Sequence, residues 1–587
     1  MSKPITGKIT TSVWHQKRKN GDIYVWERQT QYIPETRKTH EISRRLVGKI
    51  LAGSVDGQIV PTRPKRSKKT EPVSTEIRRN RVGASELLAW IGWESGISED
   101  LQNCTDSGTA KKIETIAQFW LANQGDRLRR MEKWLFLHPT PYPGPITKDV
   151  YHALFEQIGL DENLVQSYFR ARAARCEDKS PIAFDSSTVS TYSQNILEAR
   201  QGFNKAGDSL NTVKLLTLYD LKSRQPIAFA RQPENLADVA AIENAIKQLS
   251  YLDVAKAQIV TDKGYYSQAN IGQMVKKHVK FLTAVSIDLV WVNKYLQQNK
   301  ERLETAATFC PWDFNVHGCT VPVEAEFAFT RKRNSATSAG GDIVKEIRRL
   351  YLHLFLNRNR VTDDEHRLGK DLMALKHDVE SGLLEDLSEA AQKKVEKYLT
   401  LSRVGRGGKL RVAINERAYA EARKDYGYFA LLSNKAEDCF EALKKYRLRE
   451  KIEEAFKDTK NRIDGHRTRV WDGDCLQGRM FCQFVGLGYF SFLHNKLKTL
   501  KEQLTKELRD KQGSKEEQRE KEDLLNWLKK QSVQSLLDWL DCIELTRLPG
   551  RNRIANKRDG DTKRDRLLFR RLGLSGYEEE AKPTMSS

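Results

Sequence analysis

The sequence contains no C-x-x-C pair and no Cys/His spacing of the kind that holds zinc, although it has eight cysteines. Neither a zinc finger nor a disulfide framework is supported, and reduced thiols are the simple reading. No apolar run approaches the roughly 18 residues that a membrane-crossing helix requires, and the first ten residues are polar with no signal-peptide core. A protein that stays inside the cell, cytoplasmic and without a membrane partner, is therefore expected. The glycine cluster at 405–408 lacks the trailing Lys-Ser/Thr of a phosphate loop and reads as a turn. No repeat of fixed period is present.

At 587 residues the chain is too long for one core, since single cores stop growing near roughly 250–300 residues, so two or three domains are expected. Hydrophobic residues make up 39% and aromatics 9%, enough apolar material for real cores and too much for a disordered chain. Lys and Arg number 100 against 78 Asp and Glu, a formal charge of +22. Such an excess fits a surface that meets a polyanion, with nucleic acid the leading partner and plain solubility the bland alternative. The excess is uneven. Residues 1–80 hold 18 basic and 7 acidic residues, half of the whole imbalance, and 551–571 hold 9 basic and 3 acidic.

The pattern along the chain predicts a multidomain α/β protein. Residues 8–48 alternate polar with apolar or β-branched residues around Asn20-Gly21, a hairpin signal, so 1–60 reads as a β-rich module. A basic, proline-punctuated linker follows at 61–84. Helical periodicity then dominates 85–175. Beyond it strands alternate with helices: strands at 182–185, 212–219, 226–230 and 257–261, and a helix near 236–249, over a part bounded at 176–289. A further strand at 349–356 and charged helices over 361–400 fall in an expected insertion at 290–427. Residues 428–500 complete the core, and 501–587 form a helical, basic C-terminal region; 496–530 reads as one charge-rich helix with a solvated or paired face.

The sharpest local signal is Tyr446-x2-Arg449-x3-Glu453-x6-Lys460. At 100° per residue these four fall within one arc of about 60°, so they share a helix face. Leu448, Ile452, Ala455 and Phe456 form a neighbouring apolar stripe expected to dock that helix on a sheet. Two more acids end short apolar runs: Asp185 in Phe184-Asp-Ser-Ser-Thr188 and Asp262 in Ala257-Gln-Ile-Val-Thr-Asp262-Lys-Gly-Tyr265. Taken singly, either would serve a turn or cap as readily as a catalyst. Together, carboxylates at strand ends and a third on a docked helix make a cage of hard oxygen ligands for magnesium, suited to in-line phosphoryl transfer.

These blocks resemble the DDE transposases of bacterial insertion sequences, specifically the IS-four superfamily with its Tyr-Arg-Glu-Lys motif. The similarity covers about 176–300 and 425–500, includes the blocks around Asp185 and Asp262 and the segment 233–238, and extends to a long insertion before Glu453. It implies an RNase H-like catalytic core and Mg²⁺ chemistry with two ions, with Mn²⁺ as a substitute. Asp185, Asp262 and Glu453 would be catalytic metal ligands, and Tyr446, Arg449 and Lys460 would hold DNA-end phosphates. The substrates implied are double-stranded DNA at terminal inverted repeats and a target duplex, with a homodimer or higher oligomer on DNA, in a prokaryotic cell. Lys17, Arg18, Lys19, Arg44 and Arg45 are candidates for phosphate contacts in the N-terminal module, where Trp14 and Trp26 read as packing residues. Trp291 and Trp312, in the insertion, also read as core residues before they read as a base-stacking platform. A nuclease that cuts without joining shares these acids, and so does an inactive DNA-binding descendant until it loses one.

Overall fold

The computed structural model describes residues 9–33, 36–54, 56–60, 62, 78–125, 127–177, 179–201, 209–233, 244, 246–247, 251–252, 257–330, 343–385, 387–404, 409–462, 467–548 and 555–574. Side chains at 78, 328–330, 343–344, 403–404, 409, 451–462, 547–548 and 555–557 lie outside that description. So do the helix expected near 236–249, apart from three residues, the segment 234–238 and the turn at 405–408. The chain divides into two compact units, Met1–Arg78 with Arg547–Lys557, and Arg79–Thr546 with Arg558–Ser587.

The first unit holds an antiparallel sheet of β1 (Ile9–Lys17), β2 (Ile23–Ile33) and β3 (Lys38–Ile50) in that order. Gly21 adopts φ +88° in the β1–β2 turn, a conformation that glycine reaches without a Cβ penalty, and the turn closes with Arg18 N donating to Asp22 O at 2.8 Å. The Asn20-Gly21 hairpin is thus present. Trp14 and Trp26 face each other across β1 and β2, but Trp14 is 43% exposed and carries the Arg44 guanidinium 5.3 Å from its ring. The packing role expected of Trp14 is not met, because no second layer covers the edge strand that holds it among the described residues. Lys17, Arg18, Lys19, Arg44 and Arg45 are all exposed.

The second unit opens with six helices between Gly83 and Ala174, broken as expected by the prolines at 139–145. A nine-stranded sheet follows, of β5 (Ile182–Thr191), β6 (Asn211–Asp220), β7 (Gln225–Pro233), β8 (Gln258–Thr261), β9 (Lys280–Val285), β10 (Phe309–Cys310), β11 (Asp313–Thr330), β12 (Ile343–Asn357) and β15 (Tyr428–Ser433), while β4 (Arg78–Arg81), β13 (Leu399–Val404) and β14 (Lys409–Ile414) lie outside it. The order across the sheet is β10-β11-β12-β15-β9-β8-β5-β6-β7. β5, β6 and β7 are antiparallel, whereas β8 and β9 run parallel to β5. One sheet face carries Ile182, Phe184, Ile259 and Phe281 into the main core, where Phe169 and Phe484 meet Phe229 at ring separations of 5.2 and 5.3 Å. The opposite face carries Ala183, Val260, Leu282 and Leu431 into a second core under the Cys439–Arg462 helix.

The residues at 290–427 divide between the main sheet and a separate small core. β11 and β12 pair over fifteen positions and join the main sheet through β15, while the helices Arg358–Glu380 and Glu389–Tyr398 build a small core of Leu375, Val379, Val395, Leu399 and Val412. Trp291 is half-buried against the main core; Trp312 is 49% exposed, edge-on to Phe440 at 6.1 Å, so the core reading holds for the first alone.

The charged stretch 496–530 is two helices, the end of Gly473–Arg509 and Lys515–Lys530. Gly513 at φ +96° and a Ser514/Glu517 capping box turn the chain back, so that Leu504, Leu524 and Leu528 are buried and Lys521 pairs with Glu507 at 2.8 Å. Charge content hid the reversal. The Gly473–Arg509 helix also crosses the Lys148–Leu160 helix at backbone contact. A Cβ on Gly159 would lie 2.1 Å from Asp474 O, and one on Gly478 would lie 2.0 Å from Phe155 O.

Candidate active site

Register fixes the first two acids. Phe184 of β5 pairs with Thr261 of β8 in the parallel ladder, so Asp185 and Asp262 are the next residues along two adjacent strands. Parallel neighbours lie about 4.8 Å apart. Ala183 and Val260, two residues earlier, face the Cys439–Arg462 helix, and the period of two carries Asp185 and Asp262 to that same face. β5 does not stop at Asp185, as the short apolar run suggested, but continues to Thr191 against β6. Asp185 therefore projects from mid-strand and Asp262 from a strand end. Each carboxylate accepts from the following backbone amide, Ser186 N at 2.9 Å and Lys263 N at 2.6 Å.

Within its described side chains the helix meets the sheet through residues that lie ahead of most of the expected stripe. Cys439, Ala442, Leu443 and Tyr446, spaced i, i+3, i+4 and i+7, are the residues buried against the sheet, with Leu448 only flanking them. Tyr446 thus belongs to the docking stripe and is 8% exposed. Of the expected stripe, Ile452, Ala455 and Phe456 lie outside the described side chains.

Docking on that face brings the motif to Asp262. Tyr446 Oη donates to Asp262 Oδ1 at 3.4 Å, and Arg449 Nη2 lies 3.5 Å from the same oxygen. The Arg449 guanidinium also sits 5.1 Å from the Tyr446 ring centre. Burial pushes the Tyr446 phenol up to about 12, against the pull of Arg449, so it stays protonated and able to donate. Arg449 is 2% exposed, whereas the Asp262 side chain is 47% exposed. Glu453 is two helical turns beyond Tyr446 on the same helix; its side chain and that of Lys460 lie outside the described residues.

Asp262, Tyr446 and Arg449 line a cleft of about 1010 Å³, which Arg360, Asp364 and Arg367 of the Arg358–Glu380 helix also line. Glu450 also lines it, a residue the sequence reading passed over. Its position at i+4 from Tyr446 was the available signal.

A family described as the transposase DDE domain matches residues 177–482. The chain belongs to the DDE-domain transposases. No curated relative matches this transposase. A solved structure to which it is similar is the piggyBac transposase synaptic complex with hairpin DNA, at a TM-score of 0.31 and 9% identity over 78% of this chain and 77% of that one. DDE transposase domains work with divalent metal ions. The transposase offers two carboxylates on one sheet face, hard donors that fit such an ion. Among the described residues no group of three or more His, Cys, Asp and Glu assembles into a metal cage, and the third expected ligand, the Glu453 side chain, is not among them. No helix among the described residues is long and apolar enough to cross a membrane.

Proposed function

We propose that this transposase cuts DNA at terminal inverted repeats and joins the freed 3′ ends to a target duplex, using Asp185, Asp262 and Glu453 to hold two Mg²⁺ ions. The observation that carries the proposal is the placement of Asp185 and Asp262 side by side, on the sheet face that receives the helix bearing Glu453. An RNase H-like core in two parts, 176–289 and 428–500 around the 290–427 insertion, is supported by the order β7-β6-β5-β8-β9 with β8 and β9 parallel to β5. Bound there, Mg²⁺ supplies Lewis-acid activation of the attacking oxygen and charge stabilisation of the leaving one.

The protein's own groups do the rest. Arg449 and Tyr446 fix one oxygen of Asp262, which leaves the half-exposed side of that carboxylate toward the cleft. Because Arg449 is buried, it acts on a DNA-end phosphate from behind Asp262, and Lys460 is the freer phosphate contact in this reading. The exposed Lys17, Arg18, Lys19, Arg44 and Arg45 of the N-terminal sheet add phosphate contacts that position the duplex. Joining two ends requires at least two subunits on the DNA, and the site of action is the bacterial cytoplasm.

The test is incubation with Mg²⁺ and the DNA that flanks the protein's own gene. Cuts mapped to inverted repeats, followed by joined products, are expected. Cuts without joined products identify a nuclease instead, and no cuts at any end overturn the reading.

A further inference from the structure

The parallel ladder of β8 and β9 ends with the pair Thr261 and Thr283. Asp262 is the next residue, so its main-chain carbonyl stands just past the last rung. A side chain takes over there. Thr283 Oγ1 donates to Asp262 O at 3.3 Å, with Ala284 O sharing the same proton at 3.4 Å, and Thr261 Oγ1 donates to Thr283 Oγ1 at 2.8 Å. Both threonines are 1% exposed.

Two buried hydroxyls at this spot need a reason. Their strand neighbours include Ile259, Val260, Phe281, Leu282 and Val285, and valine would fill either place with the same branched shape. A buried hydroxyl costs desolvation unless it is bonded, and these two are bonded to each other and to the Asp262 main chain. The side from which they act matters. Thr261 and Thr283 follow Ile259 and Phe281 by two residues, which places them on the main-core face, whereas the Asp262 carboxylate leaves on the opposite face toward Tyr446 and Arg449. Asp262 is thus held from both sides of the sheet, its carboxylate by the motif helix and its carbonyl by β9. The turn that follows is fastened as well: Tyr265 N donates to Asp262 O at 3.2 Å, Asn270 Nδ2 donates to Tyr265 O at 2.8 Å, and the Tyr265 ring stands edge-on to Phe184 at 5.0 Å. Those contacts tie the turn to itself, to the Gln268–Lys276 helix and to β5, and Thr283 ties it to β9.

We propose that Thr283, oriented by Thr261, is a positioning residue for Asp262, a role that rests on the reading of Asp262 as a metal ligand given above. The hydroxyl sets the main-chain angle from which the carboxylate reaches a divalent ion. A carboxylate swings with its own main chain, so a carbonyl released on the core side lets the metal-facing oxygen drift. Metal sites lose about 10- to 100-fold in affinity or activity when the groups that orient their ligands are removed.

Mn²⁺ binding to the full chain without DNA, followed by electron paramagnetic resonance, tests this beside Mg²⁺-dependent cleavage of the gene's flanking DNA. Thr283→Val keeps the shape and removes the hydroxyl, whereas Thr283→Ser keeps the hydroxyl. The first should weaken Mn²⁺ binding about tenfold and raise the Mg²⁺ concentration for half-maximal cleavage to match, and the second should restore both to near wild type. In an Asp262→Asn background, Thr283→Val should weaken Mn²⁺ no further, the non-additivity of a residue that acts through Asp262; equal losses in both backgrounds overturn the assignment. Should Thr283→Val not fold, Thr261→Val decides, and wild-type Mn²⁺ affinity there overturns the role. A wild type that cuts, matched by Thr283→Val in rate and Mn²⁺ affinity, removes Thr283 and leaves the transposase. A wild type that binds Mn²⁺ but never cuts, with weaker binding by Thr283→Val, keeps Thr283 and removes the transposase reading; a wild type that neither cuts nor binds overturns both.

Discussion

Arg449 Nη2 lies 3.5 Å from Asp262 Oδ1, a nearly dry guanidinium set against a half-wet carboxylate. Arg449→Lys keeps the charge but loses the planar fork, so Asp262 should lose its fixed orientation. We expect cleavage to fall by about tenfold and the Mg²⁺ concentration for half-maximal rate to rise. A double-mutant cycle with Asp262→Asn should return a coupling of roughly 0.5–1.5 kcal/mol in unfolding experiments; additive effects would separate the two residues.

Asp185→Asn, Asp262→Asn and Glu453→Gln should each abolish cleavage while leaving DNA-end affinity within a few-fold of wild type. The first two remove a charge from positions that the ladder sets side by side. Normal cutting by any one of them would strike that residue from the site.

Lys460→Ala should weaken DNA-end binding in a salt-dependent way, lowering the slope of log K against log salt by about one. An unaltered slope would assign Lys460 to the helix alone.

Glu114 offers a pH test far from the chemistry. It is 6% exposed, and burial pushes its carboxyl from the ordinary 4.5 up to about 7, against hydrogen bonds from Ser98 and Tyr489. A raised folded-state pKa gives stability that is full below about 4.5 and lost as pH climbs through 7. Glu114→Gln should therefore match wild type near pH 4 and exceed it at pH 8 by an amount on the order of 2–3 kcal/mol. Denaturant melts at both pH values measure this, and equal gains at the two would show that protonation is not the cause.

Gly478→Ala tests the helix crossing. The new methyl would meet Phe155 O at 2.0 Å, and main chain on both sides leaves no flexible side chain to give way. A loss of roughly 1–3 kcal/mol is expected from overpacking, read from the same melts.

The neighbourhood of Asp185 and Asp262 was legible because its signal is local. Carboxylates that close apolar runs and a motif of fixed helical spacing announce themselves without any tertiary information, and the ladder then sets Asp185 and Asp262 together. The docking face of the motif helix was not legible in the same way. Tyr446 reads as a polar phosphate ligand in isolation, but the sheet it meets is lined by Ala183, Val260 and Leu282, whose small or apolar side chains leave room for a ring. Cys439, Ala442 and Leu443 precede the motif, outside the window in which the stripe was sought. The reversal at Gly513 escaped for a related reason, since a capping box inside a run of Lys and Glu looks like more of the same helix. β11 was missed because its partner β12 is the only clue to it, and pairing is not written along one strand.

The two glycines at the crossing of the Lys148–Leu160 and Gly473–Arg509 helices have one more effect. The first of these helices is part of the all-helical segment, and the second follows directly from the stretch that carries the motif, so main chain touches main chain where the two meet. A joint without side chains to flex behaves as a weld, so the helical segment stands at a set distance from the strands that carry Asp185 and Asp262.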